Sequence, residues 1–152
     1  MKTSLIIHQQ KSFDNQTVRT IFAPNATNGI LELINSARKS LYIEQFYIYR
    51  YFGKEDSPLL TAVADAGGRN VSVKIIVDSN FYSLDRNDSQ SNYYSCKYLE
   101  NITRCKFTDK YAVVHTKGMV ADGIALVSSI NWNENSVENN RETGVIIGGK
   151  SE

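Results

Sequence analysis

The sequence predicts one mixed α/β domain, with a central β-sheet that is flanked by helices on both faces. Three observations support this fold class. The chain has 152 residues, which is enough for one hydrophobic core. Its 41% apolar and 22% charged residues are typical of an ordinary globular protein. Helical periodicity and strand-like runs also alternate along the chain, so a single domain over residues 1–152 is expected.

The first half of the chain predicts two helices, each followed by a strand. Apolar residues recur at helical spacing over 26–40, and the β-branched and aromatic run 41–49 is typical of a strand. A second helix is predicted over 57–68, between a serine-proline start and a pair of glycines. The apolar run 71–78 predicts a central strand covered on both faces, reached through a right-handed parallel crossover.

The second half of the chain predicts mainly strands. The polar and aromatic segment 79–95 is expected to form a loop near the site, because ligands of open α/β sheets bind beyond the carboxyl ends of strands. One short helix and four strands are predicted at 93–100, 103–107, 111–122, 124–131 and 143–149. The Asp122-Gly123 pair between two of those strands is a strong hairpin signal.

Charge and hydropathy exclude several classes of protein. A net charge of +1 supplies no broad basic surface of the kind that binds nucleic acid through counterion release, so a phosphate ligand must be held locally. No apolar run reaches the roughly 18 residues of a transmembrane helix, and the apolar part of the N-terminus is too short for a secretion signal.

The cysteines and glycosylation motifs leave the compartment open. Cys96 and Cys105 are too few for a disulfide framework, and two free thiols are the ordinary interpretation. Five Asn-x-Ser/Thr sequons would instead suit an extracytoplasmic protein, although a chain rich in Asn, Ser and Thr has several by chance. A cytoplasmic or membrane-peripheral location therefore remains an alternative.

The stretch "VVHTKGMVADG" carries an unusual polar set. Because side chains alternate along a strand, His115 and Lys117 are expected on one face, roughly 7 Å apart. Most isolated H-x-K triplets occur by chance on surface strands. Here the continuation is specific, since Lys117 is followed after four residues by Asp122 and then by three further polar residues: Ser129, Asn131 and Glu142.

This full set resembles the phospholipase D superfamily, whose signature is H-x-K-x4-D followed by a G-S-x-N segment and a later acidic residue. The resemblance implies that His115 is the nucleophile and forms a covalent phosphohistidine. It also implies that Lys117 and Asn131 bind phosphate, that Ser129 assists them, and that Glu142 orients the imidazole. No metal or other cofactor is expected, because a lysine and hydrogen-bond donors can neutralise the phosphate charge.

Asp122 is expected to be structural although it belongs to the catalytic motif. At five residues beyond Lys117 it points to the opposite face of an unbulged strand. As part of an Asp-Gly pair, it is instead suited to shape the hairpin turn.

Strand alternation also predicts the shape of this turn. A tight two-residue turn would pair Lys117 with Ser128. Ser129 and Asn131 would then face away from the lysine. One extra loop residue or a bulge would place Ser129 opposite Lys117. Asn131 would follow on the same face, opposite His115, so the sequence predicts that offset.

The motif supplies half of the expected active site. In the superfamily a second motif histidine acts as general acid and base, and His8, the only other histidine, lacks a following lysine at motif spacing. The site is therefore expected to be completed by a homodimer or by a second motif-bearing lobe beyond residue 152, the chain being a truncated or first half of a two-lobed enzyme. Ser128, where the superfamily usually has glycine, could narrow the phosphate cradle.

The motif does not indicate which phosphodiester is the substrate, but other features of the sequence favour one class. The near-neutral charge is weak evidence against a nuclease. The aromatic segment 42–52 resembles the strand after the first helix in lipid-acting members of the superfamily. Both features favour hydrolysis or transphosphatidylation of phospholipids at a membrane surface. A metal-independent endonuclease acting on nucleic acid as a homodimer is the second hypothesis. A catalytically silent half that completes a partner's site is the third.

Overall fold

The computed structural model describes residues 16–79, 85–109, 111 and 113–150. Its strands are β1 (Gln16–Ala23), β2 (Ser40–Gln45), β3 (Tyr51–Phe52), β4 (Glu55–Asp56), β5 (Ser72–Val77), β6 (Arg104–Phe107), β7 (Lys117–Ala121), β8 (Ile124–Ser128) and β9 (Glu142–Lys150). Its helices are α1 (Thr27–Ser36), α2 (Pro58–Gly68), α3 (Asn92–Tyr98) and α4 (Glu134–Glu138). Within these described ranges, no helix has the length and apolar character that a membrane crossing needs.

Seven strands form one mixed sheet, in the order β1-β9-β8-β7-β2-β5-β6. β3 and β4 form a separate small hairpin. β2 and β5 are parallel neighbours with α2 between them in the chain, so the predicted parallel crossover is present. The predicted mixed α/β fold with a central sheet flanked by helices is confirmed.

The hydrophobic core lies between one face of the sheet and the helices. The apolar residues of α1 and α2 recur every three or four positions, which places them on one side of each helix. The helices bury Ile30, Leu33, Ile34, Leu59, Leu60 and Val63, and the sheet buries Leu41, Ile43, Ile75, Met119, Leu126 and Ile146. Each such side chain stabilises the fold by about 1.5–3 kcal/mol, so the central strands are held firmly under the helices.

The other face of the sheet carries exposed apolar side chains, among them Val18, Phe22, Tyr42, Ile76, Val120, Val127 and Ile147. β5 shows the reason, because buried and exposed residues alternate along its whole length. The expectation that strand 71–78 would be covered on both faces is therefore wrong. Its alternate positions include Ser72 and Lys74, and such polar residues are typical of a strand buried on one face only.

Some elements lie outside what the periodicity predicts. β1, the β3–β4 hairpin and the five-residue α4 were not expected, because short or polar segments carry a weak periodic signal. His8 and the sequon at Asn15 fall outside the described residues. The described part of segment 79–95 contains turns at 86–90 and then the start of α3.

The Asp122-Gly123 turn ties two parts of the sheet together. Ala121 pairs with Ile124, and both turn residues have positive φ values, 47° and 92°. The Asp122 carboxylate accepts hydrogen bonds from the backbone N–H groups of Arg38, Lys39 and Ser40, at 2.6, 3.0 and 2.7 Å. The bonds from Arg38 and Ser40 hold the pKa of this carboxyl below its usual value. The turn is therefore anchored to the connection between α1 and β2.

The two cysteines form a disulfide that joins α3 to the edge strand β6. Their Cα atoms lie 5.5 Å apart, which is an ordinary separation for a disulfide. The interpretation of two free thiols is therefore wrong. Periodicity does not show that Cys96 and Cys105 face each other, because they lie on different elements. The four described sequon asparagines, Asn25, Asn70, Asn87 and Asn101, are all exposed.

Candidate active site

The polar residues of the motif other than Asp122 gather at one end of the sheet, which we call the site end. β2 and β5 finish there at Gln45 and Val77, which are paired in register. β7 begins there, because Lys117 pairs with Gln45. β8 ends and β9 begins at the same end of the sheet. As expected for an open α/β sheet, the site lies beyond the carboxyl ends of the parallel strands.

Lys117 is the buried cation of the site, with 5% of its surface exposed. Its Nζ donates a 2.7 Å hydrogen bond to the His115 carbonyl oxygen and lies 5.0 Å from the centre of the Phe46 ring. Burial lowers the pKa of this ammonium, and the nearby Glu142 carboxylate opposes part of the shift. A desolvated ammonium attracts a phosphate oxygen more strongly than a hydrated one does.

His115 lies just before β7 rather than within it. Its side chain is exposed, and its ring centre lies 4.8 Å from that of Phe46. The preceding Val114 N–H donates a 2.8 Å hydrogen bond to Asp78, whose side chain is buried at the end of β5. The alternation of side chains along a strand therefore does not explain how His115 comes to lie near Lys117, because His115 is not part of β7. Instead, the Lys117–carbonyl bond and the Asp78 carboxylate hold the segment that carries the imidazole.

The turn prediction is wrong, because β7 and β8 meet through a two-residue turn without a bulge. Ladder pairing ends at Ser128, so strand alternation does not apply beyond it. The Ser128 hydroxyl donates to the Lys117 carbonyl at 3.0 Å and accepts from the Ile130 N–H at 3.3 Å. Ser128 therefore turns the chain after β8. It has no positive φ, so the serine in the usual glycine position adopts an ordinary backbone conformation.

Glu142 makes its hydrogen bonds to residues other than the histidine. One carboxylate oxygen accepts from the Ser129 hydroxyl at 2.5 Å, and the other accepts from the Asn140 amide at 3.1 Å. Within the described part of this chain, the expected contact between Glu142 and the His115 imidazole is absent. Glu142 instead fixes Ser129 and lies close enough to Lys117 to affect its pKa.

Asn131 lies in the segment between β8 and α4. It is half-buried, and its side-chain oxygen is buried without a hydrogen-bond partner. The next residue, Trp132, donates its backbone N–H to the Tyr47 carbonyl at 3.1 Å, which ties this segment to the chain after β2. An amide oxygen only accepts hydrogen bonds, so in a phosphate site the side-chain N–H group of Asn131 would be the donor.

Asp122 does not join these residues. It lies at the far end of β7 from Lys117, about 17 Å along the strand, where its carboxylate is engaged by three backbone N–H groups. The H-x-K-x4-D pattern thus spans the whole strand, with its histidine and lysine at the site end and its aspartate in the turn.

The comparisons with known proteins agree with this geometry. Residues 30–152 match the family model described as "Cardiolipin synthase, PLD-like domain". The chain belongs to the phospholipase D-like family. No curated protein matches the chain.

Several solved structures share the fold. Nuc from Salmonella typhimurium, a phospholipase D family member, has a TM-score of 0.75 and 21% identity, covering 89% of this chain and 84% of that one. NucT from Helicobacter pylori has a TM-score of 0.70 and 23% identity, covering 88% and 86%. Phosphatidylserine synthase from Haemophilus influenzae has a TM-score of 0.65 and 19% identity, covering 94% and 37%.

Three further residues of this phospholipase D-like site could not be assigned from the motif. Phe46 contacts both the imidazole and the ammonium, and Asp78 holds the backbone before His115. Gln45 is 1% exposed beside Lys117, and its side-chain oxygen has no hydrogen-bond partner. Position gave a signal for Asp78 alone, because it ends the predicted strand 71–78. Gln45 and Phe46 lie inside the predicted strand 41–49, which in the structure already ends at Gln45.

Proposed function

We propose that this chain cleaves or transfers phosphodiesters through a covalent phosphohistidine on His115, with phospholipids as its substrates. The observation that carries the proposal is the pairing of an exposed imidazole with a buried ammonium. Lys117 is 5% exposed and anchored on the His115 carbonyl, so its remaining donors can meet a phosphate held against the imidazole. Family membership supports an enzyme that acts on phosphodiesters.

The reaction has two balanced steps. A ring nitrogen of His115 attacks phosphorus, the P–N bond forms, and the P–O bond to the leaving alcohol breaks. A second histidine gives its proton to the leaving oxygen. That same histidine then takes the proton of an incoming water or alcohol, whose oxygen displaces His115 and breaks the P–N bond. Lys117 neutralises charge on the non-bridging oxygens throughout, and the Asn131 side-chain N–H group donates a hydrogen bond to them.

The second histidine must come from another motif. Two arrangements supply it: a homodimer that brings two copies of His115 together, or a second motif-bearing lobe. The His115 imidazole is exposed at the site end of the sheet, so it is accessible to a second copy. Glu142, which does not contact the imidazole of its own chain, is then also available to the second half of the site.

The test is a paired assay on phospholipid vesicles and on single-stranded DNA, in the presence of EDTA. We expect lipid cleavage that persists in the chelator and that is lost in His115→Ala and Lys117→Met. Lys106→Met is the matched control, because Lys106 is an exposed lysine of the edge strand β6. Cleavage of DNA alone would replace the lipid proposal with the nuclease alternative. Loss of turnover with EDTA would contradict the phosphohistidine mechanism.

Solution mass separates the two arrangements of the second motif. A dimer with activity at concentrations where it stays associated supports the shared site. A strict monomer without phosphodiesterase activity would mean that this chain alone is a silent half, and would overturn the proposal for the isolated chain.

A further inference from the structure

A groove runs along the free edge of β6, the strand that ends the sheet on the side away from β1. We call it the edge groove. Its volume is about 380 Å³, and it is lined by the strand segment 103–107 and, from α3 and the turn after it, by Tyr93, Cys96, Lys97 and Glu100. β2 and β5 lie between β6 and β7 in the sheet, so the edge groove is separate from Lys117 and takes no part in the mechanism above.

The lining shows that the groove follows the edge of the strand rather than one face of the sheet. Side chains of a strand alternate between its two faces, so a cavity on one face would contact every second residue. Here all five successive residues 103–107 line the cavity. The opposite wall is one side of α3, because Tyr93 lies three positions before Cys96 and four before Lys97. A further extended chain in the groove would therefore lie beside β6 and against α3.

Backbone groups of β6 point into this groove. The Thr108 N–H donates a 3.0 Å hydrogen bond to the Val77 carbonyl of β5. Because N–H groups alternate in direction along a strand, the Lys106 N–H also points to β5, whereas those of Cys105 and Phe107 point to the free edge. Among the described residues, neither of these two N–H groups has a hydrogen-bond partner outside the sheet ladder. An added strand can therefore make main-chain hydrogen bonds here.

The two faces of β6 differ in charge. Arg104 pairs with Lys74, and Lys106 pairs with Ile76. The side chains of both β5 residues lie on the exposed face of the sheet, so the two cations of β6 lie on that face as well. Within the described part of the chain, neither cation forms an ion pair. Phe107 points the other way, toward α3, so an added strand would have cations beside one of its faces and an aromatic ring beside the other.

We propose that β6 binds an extended peptide segment of another protein, in which acidic and apolar residues alternate. The main chain of the segment pairs with Cys105 and Phe107. Its acidic residues lie opposite Arg104 and Lys106, and its apolar residues contact the Phe107 ring and the Tyr93 side of α3. This interaction goes beyond the proposed function and does not depend on it.

A second copy of the chain does not suit the edge groove. Antiparallel pairing of two β6 strands about a two-fold axis would bring the Arg104 and Lys106 side chains of both copies together. Like charges that lie opposite each other on paired strands are destabilising, whereas opposite charges stabilise the pair. The charges of this edge therefore favour an acidic strand over its own copy.

Amide hydrogen exchange and chemical shifts, measured by NMR on the whole chain, test the pairing. The probe is the blocked peptide Ac-EVEVE-NH2, and Ac-KVKVK-NH2 is its charge-reversed control. At a concentration of about ten times its Kd, the acidic peptide should slow exchange of the Cys105 and Phe107 N–H groups about tenfold. The Lys106 N–H, which already points to β5, should change by less than about twofold. The basic peptide should bind about tenfold more weakly.

Two pairs of variants separate main-chain pairing from side-chain contacts. Phe107→Pro removes the outward N–H and the ring, whereas Phe107→Ala removes the ring and keeps the N–H. The proline variant should bind the acidic peptide about fivefold more weakly than the alanine variant, as expected for one hydrogen bond. Arg104→Glu combined with Lys106→Glu should reverse the preference between the two peptides. Lys54→Glu combined with Arg69→Glu, which changes two exposed cations elsewhere, should leave it unchanged.

Several results would overturn the proposal. They are equal affinity for the two peptides, unchanged exchange at Cys105 and Phe107 in excess acidic peptide, and protection centred on residues outside β6. If Phe107→Pro fails to fold, the exchange of the wild-type protein and the charge-reversed double variant decide between main-chain pairing and none. A dimer in solution that protects the same two amides without peptide would make a second copy the occupant, against the assignment to a peptide.

Discussion

Replacing Asp78 with alanine should slow catalysis by loosening the segment that carries His115. The Asp78 side chain is 1% exposed, and its Oδ1 accepts a 2.8 Å hydrogen bond from the Val114 N–H. Alanine leaves that half-buried donor without its acceptor. An unsatisfied donor of this kind costs about 1–3 kcal/mol, so the free energy of unfolding should fall by that amount.

Asp78→Ala should also lower kcat, and by more than the loss in free energy of unfolding alone would explain. Val114 is the residue before the nucleophile, and a displacement of about 1 Å in a reacting group costs about 100-fold in rate. We therefore expect kcat on bis(p-nitrophenyl) phosphate to fall about 10- to 100-fold. Asp78→Asn keeps an acceptor oxygen and should retain most of the activity.

Urea denaturation and initial rates, measured on the same preparations, check both parts. Asp65→Ala on the exposed side of α2 is the matched control and should change neither quantity. The reasoning would be refuted by an Asp78→Ala protein that loses stability as expected but keeps the wild-type kcat at a temperature where it is folded.

Three further substitutions test the electrostatics and the fold. Burial lowers the folded-state pKa of Lys117, so the stability of the wild type relative to Lys117→Met should rise as the pH increases through that pKa toward 10.5, as urea titrations at several pH values will show. Asp122→Ala should lower stability at neutral pH without changing kcat. Because the folded pKa of Asp122 is depressed, the difference should vanish as the pH falls below 3.8 through that pKa. Replacing Cys96 and Cys105 together with serine should lower the free energy of unfolding by about 2–3 kcal/mol, by the loop-entropy model, and leave kcat unchanged.

The sequence predicted the fold well where the periodic signal was long. The apolar spacing of α1 and α2 and the run of β5 were sufficient, because burial against a sheet requires a repeating pattern. The polar residues Ser72 and Lys74 at alternate positions of β5 indicate that one face is exposed. The high apolar content of the run instead favoured a strand buried on both faces. β1 and α4 depend on tertiary pairing and packing, so local pattern did not reveal them.

The site was predicted in composition but not in geometry. The motif named His115 and Lys117, yet strand alternation gave the wrong reason for their proximity, since β7 begins only at Lys117. The prediction for the Asp122-Gly123 turn was wrong because the alternation of side chains along β8 ends at Ser128. There a hydrogen bond from the Ile130 N–H to the Ser128 hydroxyl redirects the chain. Contacts such as Asp78 with Val114 join residues far apart in sequence, and no local pattern encodes them.

Trapping of the covalent intermediate tests the central claim most directly. The protein is mixed with bis(p-nitrophenyl) phosphate, quenched in alkali during the first turnover, digested and analysed by mass spectrometry. The proposed mechanism predicts a p-nitrophenylphosphoryl adduct on the peptide that contains His115, labile in acid and absent from His115→Ala. An adduct on another residue, or a burst of p-nitrophenol with an unmodified His115, would contradict the mechanism.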